Sequence, residues 1–151
     1  MVAKTKFSKE ELNKILLDYD LGRLKSLRSF KEGTVQTNIF LETTNDKYVL
    51  RYYENRSKEY VLFEVNILHY FSDHNYPCAT PIRNVHGEFI GRYKKKYFAI
   101  FDYVKGNHIE KPTKIQGHEL GKYLAKLHNI SQSYRPDYLE VRETKDKKFC
   151  L

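Results

Sequence analysis

Apolar residues near the start of the chain recur at the period of an α-helix, at Leu12, Ile15, Leu16 and Tyr19. Ser8 and Glu11 stand at the beginning of this run in the pattern of a capping box, in which a hydroxyl and a carboxylate satisfy reciprocal backbone N–H groups. We therefore predict a short first helix from about Lys9 to Asp18.

Three segments with the character of β-strands follow the first helix. They run from Leu24 to Phe30, from Gln36 to Thr43 and from Lys47 to Tyr53, and in the second of them Ile39 and Leu41 stand at alternate positions. Asn45-Asp46 is a turn signal between the last two segments. The pattern predicts a meander of three antiparallel strands.

A second helix is predicted from Ser57 to about Asp73, where apolar residues recur at Val61, Val65, Leu68 and Phe71. Pro77 ends this region because proline cannot continue a helix. Two further strands, Glu88 to Tyr93 and Tyr97 to Val104, flank a lysine-rich turn. With a third helix after these strands, the predicted order is α-β-β-β-α-β-β-α.

The third helix is predicted from about Lys114 to Ile130, on the helical spacing of its leucines. Gly117, Gly121 and Ala125 lie four residues apart on it. Such a strip of small residues usually allows another element to approach closely, so we expect a packing contact there.

Charge and composition narrow the class of protein without selecting one function. The 151 residues are 40% hydrophobic and carry a formal net charge of +8, which suits anionic partners such as nucleotides, nucleic acids or phospholipid headgroups. No apolar run approaches the roughly 20 residues of a membrane helix, and no apolar leader opens the chain. We expect a cytoplasmic protein with no membrane partner. Cys78 and Cys150 have neither the spacing of a zinc site nor that of a disulfide framework.

Glu64 is the most informative single residue. On the second helix it falls between Val61 and Leu68, inside the arc that should face the sheet, where an unpaired carboxylate is costly. Arg51, in the strand immediately before that helix, is the nearest candidate cation. The alternative is that Glu64 lies at the edge of the apolar arc and reaches water.

Residues 33–38 form a loop between two predicted strands. Gly33 permits a close backbone approach and Asn38 can order the turn through its amide, so a phosphate could bind under the hairpin. A plain β-turn is the more frequent explanation of one glycine. The loop is not of the Walker type, because no Gly-Lys-Ser/Thr follows it.

The order of glycine loop, cationic strand residue, helical glutamate and a strand ending at Gly106 resembles the aminoglycoside phosphotransferase and choline kinase-like family of small-molecule kinases. Its homoserine kinase type II-like bacterial members look most similar. The resemblance implies an α+β fold, in which a protein-kinase-like N-terminal lobe with a five-stranded antiparallel sheet and a packed helix precedes one helix of a truncated C-terminal lobe. We expect the lobe and hinge to span residues 1–105 and the second lobe to begin within 106–151. The matching stretches are residues 33–41, 48–51, 63–64, 76–82, 98–106 and 120–128.

The resemblance implies an ATP site in which the glycine loop covers the phosphates. Arg51 stands where protein kinases place a lysine, and it would contact the α- and β-phosphates while pairing with Glu64. The loop residues that would contact the nucleotide are Gly33, Thr34, Thr37 and Asn38.

The same resemblance assigns the adenine pocket. Phe101 would be the gatekeeper at its back, and Val49 would form part of its apolar roof. The carbonyl of Asp102 and the N–H of Val104 would be the hydrogen-bonding groups of the hinge.

In this family an HxDxxxxN loop and a later aspartate in the C-terminal lobe position the acceptor and hold Mg²⁺. Neither motif is present, since Asp137 and Asp146 are the only aspartates after Val104 and their contexts match neither. We therefore assign no catalytic residue and expect the chain to be inactive alone, with the Mg²⁺ ligands in the missing lobe. The small-molecule acceptor would bind to the complete protein, and the exposed lobe surface would favour a homo-oligomer.

The rival hypothesis is a non-catalytic basic interaction module or a degenerate kinase remnant. Lys94 to Lys96, flanked by tyrosines, could contact a nucleic-acid backbone, although a solvated hairpin tip explains these lysines equally well. A nucleic-acid binder has no reason to contain Arg51, Glu64 and the hinge together, so the sequence favours the kinase.

Overall fold

The structure, a computed structural model, describes residues 5–30, 35–107 and 109–136. Within these residues the elements follow the predicted order. The helices are α1 (Lys9–Asp18), α2 (Lys58–Asp73) and α3 (Lys114–Ser131), and the strands are β1 (Leu24–Ser29), β2 (Thr37–Thr43), β3 (Lys47–Tyr53), β4 (Ile90–Tyr93) and β5 (Lys96–Asp102).

The five strands form one antiparallel sheet in the order β1-β2-β3-β5-β4. The hairpin between β4 and β5 closes through Lys94 and Lys95, which both have positive φ, the conformation that a tight two-residue hairpin turn requires. This arrangement places β3 at the centre, between β2 and β5. Side chains of β3 are therefore supported from both sides.

The two faces of the sheet are covered by different helices. On one face α1 contributes Leu12 and Leu16 to a core that includes Leu41, Leu50 and Ile100. On the other face Val61 and Val65 of α2 pack against Tyr53, Ala99 and Phe101. Because α2 packs against β4 and β5, it leaves the β2 side of this second face open. The open part is where the candidate site lies.

Local signals set the ends of the helices. Ser8 and Glu11 form the predicted capping box at the start of α1, and Ser57 caps α2 by accepting a hydrogen bond from the Tyr60 N–H. Thr113 and Gln116 form a second capping box at the start of α3. The predicted bounds of α1 are confirmed, and those of α2 and α3 differ from the observed ones by one residue.

The third helix differs from the sequence expectation. None of its residues is buried, and Ile115 and Leu120 are 77% and 69% exposed. A Cβ atom added at Gly117 or Gly121 would meet nothing within 4 Å. Among the described residues, therefore, no element makes the close approach that the strip of small residues predicted.

No helix in the described ranges combines the length and the apolar character that crossing a bilayer demands.

Candidate functional site

A cleft of about 470 Å³ opens on the part of the sheet that α2 leaves uncovered. Strands β2 and β3 form its floor, and the segment that continues β5 forms its side. Its lining includes Asn38, Val49, Arg51, Phe101, Asp102 and Val104. Six of the residues predicted from the sequence for a nucleotide site thus line one cavity.

Arg51 is held from two directions. Its Nε donates a hydrogen bond to Asn38 Oδ1 at 3.3 Å, and its Nη1 donates to Glu64 in a salt bridge. The guanidinium also lies over the Phe101 ring, with Cζ 5.1 Å from the ring centroid, which favours a cation–π contact. The side chain remains 34% exposed, so the guanidinium is fixed but accessible from the cleft.

The predicted pairing of Arg51 with Glu64 is confirmed. The Glu64 side chain is 19% exposed and its carboxylate is bound to the guanidinium, so the alternative of an unpartnered glutamate facing water is wrong. Helix α2 presents this carboxylate because Glu64 lies on the face of Val61 and Val65, which are both fully buried. Burial of those valines fixes the helix against the sheet and brings Glu64 to Arg51.

Apolar side chains form a slot next to the guanidinium. Val49 on β3 and Phe101 on β5 are directly opposite in the antiparallel register, and both line the cleft. Phe101 is only 2% exposed because it also belongs to the core beneath α2. The slot is therefore rigid at its back and open at its mouth.

The segment after Phe101 presents backbone groups beside this slot. The Asp102 N–H donates to the Thr80 carbonyl at 3.0 Å, and the Tyr103 N–H donates to the Lys47 carbonyl at 3.2 Å. Since the N–H and C=O of a strand residue point to the same side, the Asp102 carbonyl is directed away from β3, towards Thr80. Val104 is 60% exposed, and no described residue forms a hydrogen bond with its N–H.

A hydrogen-bonded chain connects this segment to α2. The Asp102 carboxylate accepts from the Thr80 N–H, and the Thr80 hydroxyl is 3.0 Å from the Ser72 hydroxyl near the end of α2. Thr80 is therefore joined to Asp102 through both main chain and side chain. This contact also fixes Ala79, another residue of the cleft wall.

The side chain of Thr37 does not face the cleft. Thr37 begins β2 and is 3% exposed, and its hydroxyl donates to Glu54 Oε1 at 2.7 Å on the face opposite to Asn38. Strand alternation starts at Thr37 and turns its side chain away from the cleft, so the predicted contact of Thr37 with the nucleotide stays a prediction. The predicted contacts of Gly33 and Thr34 lie outside the described residues.

Glu54, the residue that follows β3, is a buried carboxylate. Besides Thr37, it accepts hydrogen bonds from the N–H and hydroxyl of Thr5, at 2.7 and 3.0 Å, and from Lys96 Nζ at 2.8 Å. Burial opposes its ionisation, but the hydrogen bonds from Lys96, Thr37 and Thr5 outweigh burial and hold the pKa of Glu54 below its ordinary value. No signal in the sequence could have found it, because its donors lie far from it along the chain.

The described residues do not provide a metal site. No group of three or more His, Cys, Asp or Glu side chains converges within 5–30, 35–107 and 109–136. Glu64 is bound to Arg51, and the other polar side chains that line the cleft are one carboxylate, two amides and one phenol hydroxyl, those of Asp102, Asn38, Asn107 and Tyr103. This part of the chain fits an organic anion better than a divalent cation.

The chain is similar to known proteins over most of its length. The model of the phosphotransferase enzyme family matches residues 26–148. The homoserine kinase of Parvibaculum lavamentivorans is 34% identical over 136 residues, which are 89% of this chain and 42% of the relative. The homoserine kinase of Agrobacterium fabrum is 30% identical over 145 residues, which are 93% of this chain and 45% of the relative. The chain thus spans less than half the length of these relatives.

Two solved structures are similar to this fold. An amicoumacin kinase in complex with AMP-PNP, Ca²⁺ and Ami has a TM-score of 0.70 and 17% identity, and covers 87% of this chain and 42% of its own. A spectinomycin phosphotransferase in complex with ADP and spectinomycin has a TM-score of 0.64 and 16% identity, and covers 85% of this chain and 42% of its own. The predicted fold class, an α+β kinase-like lobe with a five-stranded antiparallel sheet, is confirmed.

Proposed function

Because this chain belongs to the phosphotransferase enzyme family, we propose that it forms the ATP-binding lobe of a kinase that phosphorylates a hydroxyl of a small metabolite or antibiotic. The observation that carries the proposal is the guanidinium of Arg51, fixed between Asn38 and Glu64 at the end of an apolar slot. The apolar slot suits the base of a nucleotide, and the positive guanidinium at its end suits the phosphates.

Adenine would occupy the slot between Val49 and Phe101. The cleft volume of about 470 Å³ falls within the roughly 300–1,000 Å³ of most ligand pockets. The Asp102 carbonyl and the Val104 N–H would then accept from and donate to the edge of the base. The kinase and the phosphotransferase of similar fold were solved with AMP-PNP and ADP, which makes an adenine nucleotide the first ligand to test.

The phosphates would bind at Arg51. A guanidinium can present two parallel N–H donors to a phosphate, and such charge-assisted bonds are stronger than neutral ones. In this structure Nε and Nη1 are engaged with Asn38 and Glu64, whereas Nη2 makes no hydrogen bond to a described residue. The Nη2 group can therefore donate to a phosphate, and the contacts at Nε and Nη1 fix its direction.

The chemistry of transfer would need groups that this part of the chain does not supply. Phosphoryl transfer requires a residue that positions the acceptor hydroxyl and ligands that hold Mg²⁺. We propose that both belong to a second lobe that begins within residues 106–151, and that the chain alone does not turn over ATP. The kinases named above make homoserine the first acceptor to test with a longer protein.

Calorimetric titration with ATP tests the proposal. We expect the wild-type chain to bind ATP and Arg51→Ala to bind it about 10–100-fold more weakly, the loss expected for a hydrogen bond to a charged group. Arg92→Ala is the matched control, because Arg92 is an exposed arginine on β4 of the same sheet. Salt-sensitive binding of single-stranded DNA or RNA, with no binding of ATP, would overturn the proposal in favour of a basic interaction module.

A further inference from the structure

Tyr53 has a buried hydroxyl that the proposed site does not yet explain. It follows Arg51 by two positions on β3, so both side chains lie on the face that α2 covers. The residue is 0% exposed and packs with Val61 and Val65, which lie on either side of Glu64 on α2. The Tyr53 hydroxyl forms no hydrogen bond with a described residue.

An unpartnered buried hydroxyl is unfavourable, because it has lost its hydrogen bonds to water and gained none in return. A phenylalanine at this position would fill the same space without that cost. The hydroxyl of the neighbouring Tyr52, on the opposite face of β3, by contrast donates to the Tyr93 carbonyl at 3.0 Å. The Tyr53 hydroxyl therefore calls for an explanation other than packing.

The surroundings of Tyr53 indicate what its hydroxyl could bind. Burial raises its pKa strongly, the neighbouring Glu64 carboxylate raises it further, and Arg51 acts in the opposite direction. The phenol is therefore neutral and able to donate its proton throughout the physiological range. The Glu64 carboxylate beside this hydroxyl has spare capacity to accept, since a carboxylate has about four lone-pair sites and this one is bound to a single guanidinium nitrogen.

We infer that Tyr53 is a positioning residue that donates a hydrogen bond to Glu64 when Arg51 shares its charge with the phosphates of a bound nucleotide. This inference depends on the proposed function. Without nucleotide, Arg51 serves one anion, and Glu64 needs no second donor. With nucleotide, one guanidinium serves two anions, and the Tyr53 hydroxyl compensates the carboxylate for the interaction it loses.

Removal of the Tyr53 hydroxyl should therefore change the stability of the free protein and its affinity for ATP in opposite directions. Tyr53→Phe removes an unpartnered hydroxyl from the free protein, so its thermal unfolding temperature without nucleotide should equal or exceed that of the wild type. Its dissociation constant for ATP should rise about 3–10-fold, because the donor to Glu64 is absent from the bound state. In a Glu64→Ala background, which lacks the proposed acceptor, the same substitution should have little further effect on ATP binding.

Tyr52→Phe is the matched control, because it removes a phenol hydroxyl one residue away that is already paired. It should lower the unfolding temperature and leave ATP affinity unchanged. If the wild type binds ATP and Tyr53→Phe binds it equally well, or if Tyr53→Phe loses stability as Tyr52→Phe does, the role of Tyr53 is overturned and the proposed function stands. If the wild type does not bind ATP, the proposed function fails and this role fails with it.

Discussion

Asn38 lies directly opposite Arg51 across the β2–β3 pair, and its Oδ1 accepts a hydrogen bond from Arg51 Nε at 3.3 Å. With Glu64 bound to Nη1, the guanidinium is fixed at two of its three nitrogens. Orienting a charged group before the ligand arrives lowers the entropic cost of binding. Asn38 would thus contribute to phosphate recognition even without touching a phosphate.

Asn38→Ala should weaken ATP binding by roughly 3–10-fold, because Arg51 loses one of the two contacts that orient it. Titration calorimetry measures this, together with thermal unfolding of each variant. Glu42→Ala is a suitable control, since Glu42 lies on the same face of β2 and bonds Ser26 at the other end of the strand. Equal affinities of the two variants would contradict an orienting role for Asn38.

Glu64→Ala should either weaken ATP binding, by freeing Arg51 from its fixed orientation, or lower the free energy of unfolding by about 1–3 kcal/mol through loss of the charge-assisted bond. Chemical denaturation and nucleotide titration measure the two outcomes. Asp73→Asn, near the exposed end of α2, is the control. If Glu64→Ala changed neither ATP affinity nor the free energy of unfolding, the ion pair would have no role in binding or in stability.

The Glu54 cluster, in which Thr5, Thr37 and Lys96 donate to the Glu54 carboxylate, should make the stability of the protein depend on acid pH. The pKa of Glu54 is lower in the folded protein than its ordinary value of 4.5, so the unfolded chain takes up a proton first as the pH falls. The stabilisation is complete above about pH 4.5 and is lost as the pH falls through the lower folded value. We expect Glu54→Gln to lose about 1–3 kcal/mol of stability at pH 7 and to differ less from the wild type at pH 3.

Urea denaturation across this pH range measures the effect. Glu42→Gln serves as the control, because it changes the same group at a site where the carboxylate has a single exposed hydrogen bond. If the free energies of unfolding of Glu54→Gln and the wild type differed by the same amount from pH 7 to pH 3, the Glu54 carboxylate would not titrate as described.

Much of the fold was predictable because its signals are local. Caps such as Ser8 and a stop such as Pro77 lie within a few residues of the helix ends that they set. The Arg51–Glu64 pair was predictable from the face of α2 on which Glu64 lies. The Glu54 cluster was not, since its donors Thr5 and Lys96 are 49 and 42 positions away and meet it only when the sheet is assembled.

The orientation of the Thr37 side chain was not predictable for a related reason. β2 begins within the predicted loop of residues 33–38, and successive strand residues face opposite sides. Asn38 lines the cleft and Thr37 lies beneath it. The side that each of these two residues faces depends on where β2 begins, and the sequence pattern places strand ends less precisely than strand centres.

The hairpin of β4 and β5 allows a separate test of the packing. Gly91 faces Phe98 across these strands, and a Cβ atom at Gly91 would clash with the Phe98 ring, which is buried. Gly91→Ala should lower the free energy of unfolding by about 1–3 kcal/mol. Gly117→Ala on α3 should be neutral or stabilising, by up to about 1 kcal/mol, because its surroundings are open and alanine favours helix. Equal effects of the two substitutions in denaturation experiments would contradict this packing.

Amide NMR titration with ATP tests the central claim most directly, because it reports on the backbone group assigned to the adenine edge. We expect the Val104 amide and the amides of β3 around Arg51 to shift together with one dissociation constant, and the amide of Val85, an exposed residue whose N–H donates to the Asp18 carbonyl near the end of α1, to stay unchanged. ATP binding that shifts other regions and leaves Val104 and Arg51 unchanged would contradict this claim.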